Sequence, residues 1–127
     1  DRTSRGLGDV YKRQRIEDGA GKSVLQITVR KEMLNGFNIV HGGITYSLAD
    51  SALAFASNGH GRKAVSVETS ISHTEACKEG DVLTTNTEEM SLSKKIGIYQ
   101  ITITNQHNKT VALFKGTVYI TDKNWEI

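Results

Sequence analysis

The sequence predicts an α+β fold, a mainly antiparallel sheet covered by one long helix. Three observations predict it. A single Ala- and Leu-rich stretch over residues 44–57 contains no helix breaker, alternating apolar and polar residues recur on both sides of it, and the later alternating segments are joined by short connections. Short links between strands suit antiparallel neighbours, because a parallel pair needs a long crossover. The 127 residues are enough for one domain with one core, at a size that gains much from oligomerising. The chain has no proline, no repeat and no low-complexity tract, so Gly and Asn must punctuate its elements.

Taken in order, the elements begin after an unpatterned stretch. Residues 1–15 have strand character only near their end and read as a poorly ordered or foreign leader, or a remnant of truncated upstream sequence. The domain is expected over 16–127. Residues 24–30 alternate, with Leu25, Ile27 and Val29 on one side and Gln26, Thr28 and Arg30 on the other, which predicts a half-buried strand. A loop over 31–40 leads to Gly42-Gly43 and the helix over 44–57, which is expected to stop at Asn58-Gly59. Its bulkier residues Ile44, Leu48 and Phe55 recur at spacings of four and seven, while Ala49, Ala52, Ala54 and Ala56 keep other faces slim enough for close packing. Past His60-Gly61-Arg62 the period becomes two: Val65, Val67, Thr69 and Ile71 are expected on one face and Ser66, Glu68, Ser70 and Ser72 on the other. Strands are expected over 82–90, 96–104 and 110–120, the last two joined by a polar five-residue hairpin loop over 105–109.

Charge and composition narrow the function. Residues 1–15 carry Arg2, Arg5, Lys12, Arg13 and Arg15 against Asp1 and Asp9, a net +3, which leaves −1 of the total +2 for residues 16–127. A near-neutral body lacks the basic face of a nucleic-acid binder; a basic tail touching RNA or membrane is the weaker alternative. No apolar run approaches the ~18 residues of a membrane span and no signal-peptide core is evident, so a cytoplasmic protein is expected. Cys77 is the only cysteine, which excludes an intrachain disulfide and a Cys cluster for zinc, and it reads as a spectator thiol. His60, His73 and His107 show no ligand spacing, so no metal and no cofactor is expected.

The chemistry concentrates in residues 35–50, NGFNIVHGGITYSLAD. A Gly pair at a helix start can aim a backbone N–H, reinforced by the helix dipole, at a developing oxyanion, and a carboxylate two turns further in can activate water. A hydrolase of activated acyl groups is the first hypothesis. Gly42 is the candidate donor, since without a Cβ a carbonyl can approach the backbone closely; the plainer reading is that Gly42-Gly43 only allows a tight turn. At ~1.5 Å and ~100° per residue, Asp50 lies ~12 Å along the helix from Gly42 and about 80° round it. One chain cannot easily offer both groups to one thioester. A two-fold dimer can, with Asp50 of one chain opposite Gly42 of the other. A carboxylate amid Leu48, Ala49, Ala52 and Leu53 is costly to bury without a purpose or partner, the alternative being an exposed Asp on a polar stripe with Ser47 and Ser51. Asp50 could serve as nucleophile or as general base.

Taken together, Asn35-x5-His41-Gly42-Gly43-x6-Asp50, AVSVETSISH, Lys78-Glu79-Gly80-Asp81 and NKTVALFKGTVYI resemble the hotdog-fold acyl-CoA thioesterases of the PaaI-like, phenylacetyl-CoA thioesterase group, over roughly residues 16–121. The resemblance implies an antiparallel sheet of five to six strands wrapped around one central helix. It also implies a homodimer joined sheet edge to sheet edge with shared active sites, commonly a dimer of dimers. The implied reaction is hydrolysis of aryl-acetyl (phenylacetyl-like) or medium-sized acyl-CoA to free acid and CoA. By the same resemblance Asn35 holds the attacking water or the acyl carbonyl, against a plain role as a loop Asn before Gly36. Ser66 resembles a hydroxyl that assists water placement, against a solvent-side strand Ser. His41, at the helix entrance, suits shaping the turn better than acting as a base. Arg62, Lys94 and Lys95 are the candidate cations for the CoA phosphates. Two departures stand out: the leader replaces the short helix and clear first strand of many relatives, leaving residues 11–17 as candidate first strand, and the loop over 74–77 lacks their proline.

Two rivals predict different chemistry. A hotdog enoyl-CoA hydratase or dehydratase would pair a His with a carboxylate to move a proton beside the thioester, and the Gly pair directly after His41 argues against it. A non-catalytic acyl-CoA-binding module would bind ligand without releasing thiol.

Overall fold

The structure is a computed structural model and describes residues 14–125. Its strands are β1 (Gln14–Gly19), β2 (Lys22–Thr28), β3 (Arg62–His73), β4 (Val82–Leu92), β5 (Ile96–Thr104) and β6 (Thr110–Asn124), with a single α-helix, α1 (Gly42–Asn58), among the described residues. The strands form one sheet in the order β1-β2-β4-β5-β6-β3. Every neighbouring pair is antiparallel. The sheet curls round α1, which touches all six strands. The α+β expectation and the hotdog wrapping therefore both hold.

Close packing of helix on sheet follows from small residues on each. Ala49, Ala52 and Ala56 are fully buried on α1. They let α1 settle onto Leu25 and Ile27 of β2, Leu83 of β4, Ile101 and Ile103 of β5, and Phe114 and Val118 of β6, all in one core. Burying each Leu, Ile or Phe side chain is worth about 1.5–3 kcal/mol. Gly116 of β6 lies directly under the helix: a Cβ there would come within 2.6 Å of Leu53 Cδ2.

Four local readings need correction or fall at the limit of description. First, the helix expected over 44–57 takes in the Gly pair read as its start and begins at Gly42, because His41 has non-helical backbone angles (φ −57°, ψ 137°) and the helical conformation begins directly after it. Second, α1 does not end on a left-handed glycine. Gly59 keeps right-handed helical angles (φ −62°, ψ −16°), and positive φ is adopted later, by Gly61 at 98°. Gly59 is needed for space instead, since a Cβ would run into the backbone carbonyl of Gly19 at the β1–β2 turn. Third, β3 does not keep one face throughout. The register shifts between Ser66 and Glu68, so Val67 is a bulge. Ser66 pairs with Val118 and Val65 with Tyr119, while Thr69 and Ile71 pair with Gly116 and Phe114. Ser66, Thr69, Ile71 and His73 thus share the helix-facing side, and Val65 faces out. Fourth, most of the expected leader lies outside the described residues, but Gln14 and Arg15 already pair with β2, so the strand read as 11–17 runs to Gly19.

The link from β2 to α1 is latched rather than loose. Val29 N–H donates to Asp81 O at 2.8 Å, Val40 N–H to Cys77 O at 2.8 Å and His41 N–H to Met33 O at 3.0 Å. The first two bonds seat the segment before α1 against the segment before β4, and the third closes the link on itself. In the 105–109 loop, Asn105 Oδ1 accepts from the backbone N–H of His107 and Lys109, and Asn108 takes a positive φ of 61°.

Candidate active site

The start of α1 opens on a cavity of about 460 Å³, bounded by Asn35, Ile39 and Val40 from the preceding loop, Gly42 and Thr45 from α1, and the segment from His73 to Cys77. N–H groups in the first turn of a helix have no acceptor within it and carry the positive end of its dipole. Gly42 and Gly43 occupy that turn. His41 makes no side-chain cap bond and is exposed, so it shapes this entrance through its backbone, in keeping with the structural role favoured for it.

Asn35 builds the loop wall. Its Oδ1 accepts from Phe37 N–H at 2.8 Å and from Ile39 N–H at 3.4 Å, while Asn35 N–H donates to Ile39 O at 2.8 Å. The loop-forming role is thus real, and Asn35 also lines the cavity. Cys77, on the far wall, is buried. Burial first, then the nearby Asp81 and Glu75, push its thiol up to about 11. It stays a neutral thiol near pH 7, which agrees with the spectator reading.

His73 is the residue that sequence reasoning missed. Its Nε2 lies 2.6 Å from Thr45 Oγ1, and Thr45 Oγ1 donates to Gly42 O at 2.9 Å. A Cβ on Gly42 would sit 3.3 Å from His73 Cε1. The open space at Gly42 is therefore shaped by the chain's own imidazole. The available signal was the strand period, which carries His73 to the same face as Thr69 and Ile71; no local pattern placed it against Thr45 of α1.

Asp50 lies on the face of α1 that meets β3. One turn before it, Tyr46 OH is 2.6 Å from Thr69 Oγ1. Two turns after it, Asn58 Nδ2 donates to Ala64 O and Asn58 Oδ1 accepts from Ala64 N–H. Asp50 occupies the same i, i+4 row between these contacts, on the side to which Ser66 turns. Its carboxyl is half-buried, and among the described residues it has no hydrogen-bond or ion-pair partner. Burial raises its pKa above the ordinary carboxylate value. Ser51, which the alternative reading set on an exposed polar stripe with Asp50, is fully buried.

Arg62, Lys94 and Lys95 gather at one place. Arg62 donates through Nη2 to Lys94 O at 2.6 Å, linking the start of β3 to the β4–β5 turn. That place is beyond the C-terminal end of α1, about 25 Å from Gly42 by helix length alone. Within one chain, then, the structure brings Gly42 and Asn35 to one cavity, sets Asp50 and Ser66 on the facing sides of α1 and β3, and puts the three cations at the far end.

Residues 37–112 match the family described as the thioesterase superfamily. The chain belongs to that superfamily. Over 96 residues it is 43% identical to the acyl-coenzyme A thioesterase PaaI of Escherichia coli K12, covering 76% of this chain and 69% of that protein. The solved structure of the E. coli PaaI protein from the phenylacetic acid degradation operon superposes with a TM-score of 0.89 at 36% identity, over 98% of this chain and 87% of that one. A Streptococcus mutans protein solved bound to acetyl CoA superposes with a TM-score of 0.85 at 25% identity, covering 89% and 91%. The likeness to PaaI-type hotdog thioesterases read from the motifs is borne out, and the chain is an enzyme of the thioester-hydrolase class. Within this superfamily member, the described helices include none long and apolar enough to cross a membrane.

Proposed function

We propose that the enzyme hydrolyses acyl-CoA thioesters carrying an aryl-acetyl (phenylacetyl-like) or medium-sized acyl group, releasing free acid and CoA. The observation that carries this reading is the helix start at Gly42 opening into a cavity large enough for an acyl group. The thioester oxygen takes up its developing charge at the Gly42 N–H, where the donor is already oriented and the helix dipole adds to it. Asp50 supplies the ionised group, as general base for a water or as nucleophile, with Ser66 and the Asn35 NH₂ holding water and acyl group. The likeness to an acyl-coenzyme A thioesterase supports the substrate class.

Each reaction centre is built from two copies. β3 is an edge strand, with Val65 54% and Val67 60% exposed, which suits edge-to-edge pairing with a second β3. Antiparallel pairing about a two-fold sets the Arg62 end of one strand beside the His73 end of the other. The Arg62, Lys94 and Lys95 group of one copy then flanks the Gly42 cavity of the other and holds the CoA phosphates, which accounts for cations so far from Gly42 in their own chain. An Asp50 carboxyl unpartnered in its own chain fits the same arrangement, and such dimers assemble further as a dimer of dimers.

The assay is thiol release from phenylacetyl-CoA and from short acyl-CoAs, with Asp50→Ala beside the native enzyme. Native turnover with kcat reduced on the order of 10²-fold or more in Asp50→Ala supports the reading. Undiminished turnover in Asp50→Ala removes that residue from the mechanism. Tight binding without thiol release for every acyl chain would mark a binding module, and water addition to enoyl-CoA a hydratase.

A further inference from the structure

The hydrogen bonds at the start of α1 have a direction that identifies a proton. Thr45 has one hydroxyl hydrogen, and the carbonyl of Gly42, 2.9 Å away, can only accept it. The second partner of that hydroxyl, His73 Nε2 at 2.6 Å, must therefore be the donor. His73 carries its proton on Nε2, and the chain of donors runs from His73 to Thr45 to Gly42 O. That oxygen belongs to the peptide whose nitrogen is Gly43 N. A hydrogen bond to a peptide oxygen draws charge from its nitrogen and makes the attached N–H a stronger donor. The imidazole also packs closely beside Gly42, where an added Cβ would stand 3.3 Å from Cε1 and 3.7 Å from Nε2.

We propose that His73, acting through Thr45, is a positioning residue: it holds the Gly42–Gly43 peptide plane against the end of β3 and makes the Gly43 N–H a second donor to the thioester oxyanion beside Gly42. The inference rests on the reading of the helix start as the oxyanion site. Nothing in the reaction passes through the imidazole itself. It stays protonated at Nε2 throughout, and its effect falls on kcat rather than on substrate binding.

Two measurements test it. The first needs no activity: ¹⁵N NMR of the imidazoles should find His73 protonated at Nε2, and the Gly43 amide proton should move upfield in His73→Ala. A His73 ring protonated only at Nδ1, or an unmoved Gly43 amide, overturns the relay. The second is kinetic. His73→Ala and Thr45→Val should each lower kcat about tenfold with KM changed less than about twofold, and His73→Gln, whose amide nitrogen can replace Nε2–H, should recover to within about threefold of native. A loss confined to KM, or His73→Gln as impaired as His73→Ala, overturns the proposal. Native protein that releases no thiol would instead refute the oxyanion reading, while the tautomer and the Gly43 shift would still report on the relay.

Discussion

Gly42 satisfies two demands that substitution can separate. It presents an N–H at the first helical position, and it leaves room for His73. Ala and Pro both add a Cβ facing the imidazole, but only Pro deletes the N–H. Pro is well suited to the first helical position, and His41 already has the extended backbone required before it. Gly42→Pro should therefore fold with a melting temperature close to that of Gly42→Ala yet show a kcat about 10²–10³-fold lower, the cost of one oxyanion donor; equal rates for the two would remove the Gly42 amide from catalysis. Asp50, the proposed catalytic carboxylate, carries a cost in stability. Because burial raises its pKa in the folded protein, ionisation is disfavoured there relative to the unfolded chain. Stability is fully present below the unfolded value of 3.8 and declines as pH rises through the folded value. Asp50→Asn should thus melt higher than native at pH 7, with the difference vanishing below about pH 4, while native thiol release should fall on acidification at a pH above the ordinary carboxylate range. Thermal melts and kcat profiles across pH check both signs.

Among the elements, α1 and β3 show where local pattern suffices and where it fails. The period of 44–57 and the Ala content foretold a slim helix under a sheet, and the strand over 96–104 was legible to the residue because Tyr99, Ile101 and Ile103 alternate without interruption. Gly59 was legible only as a stop. Its backbone angles are ordinary for any residue, and Gly→Ala at such a site normally stabilises by restricting the unfolded chain. Here the neighbouring Gly19 carbonyl occupies the space, and Gly21 N–H donates to Ala56 O at 3.0 Å in the same contact. Gly59→Ala should therefore lower stability by about 1–3 kcal/mol in urea titrations, by forcing the β1–β2 turn off the helix end; a stabilised variant would show the turn to be free to move. The Val67 bulge was not legible, because one inserted residue exchanges the faces of all that follow while leaving composition unchanged.

For the molecule as a whole, the arrangement to be tested is the division of one reaction centre between two copies. Mixing refolded Gly42→Pro and Asp50→Ala chains, each inactive alone, should restore roughly a quarter of native turnover, since half of the dimers are mixed and one of their two centres is intact. No recovery, with mixed dimers demonstrated by mass spectrometry, would mean that both groups serve from one chain. The same scale explains the cations. Arg62, Lys94 and Lys95 were named from the sequence as separate candidate cations, and β3 and the β4–β5 turn bring them together through the Arg62 bond to Lys94 O.

By itself the sequence determined the α+β class, the helix and its slim faces, the Gly pair at its start, the carboxylate two turns on and the family. All of these depend on spacing within a few turns or on short motifs, where backbone geometry leaves few choices. Only the tertiary structure decided that β3 bulges at Val67, that Gly59 serves a close contact, and that His73 and Thr45 stand behind Gly42. Those facts depend on which distant segments the closed sheet brings together, and the free energy that selects such contacts is spread over the whole core rather than held in any local stretch of chain.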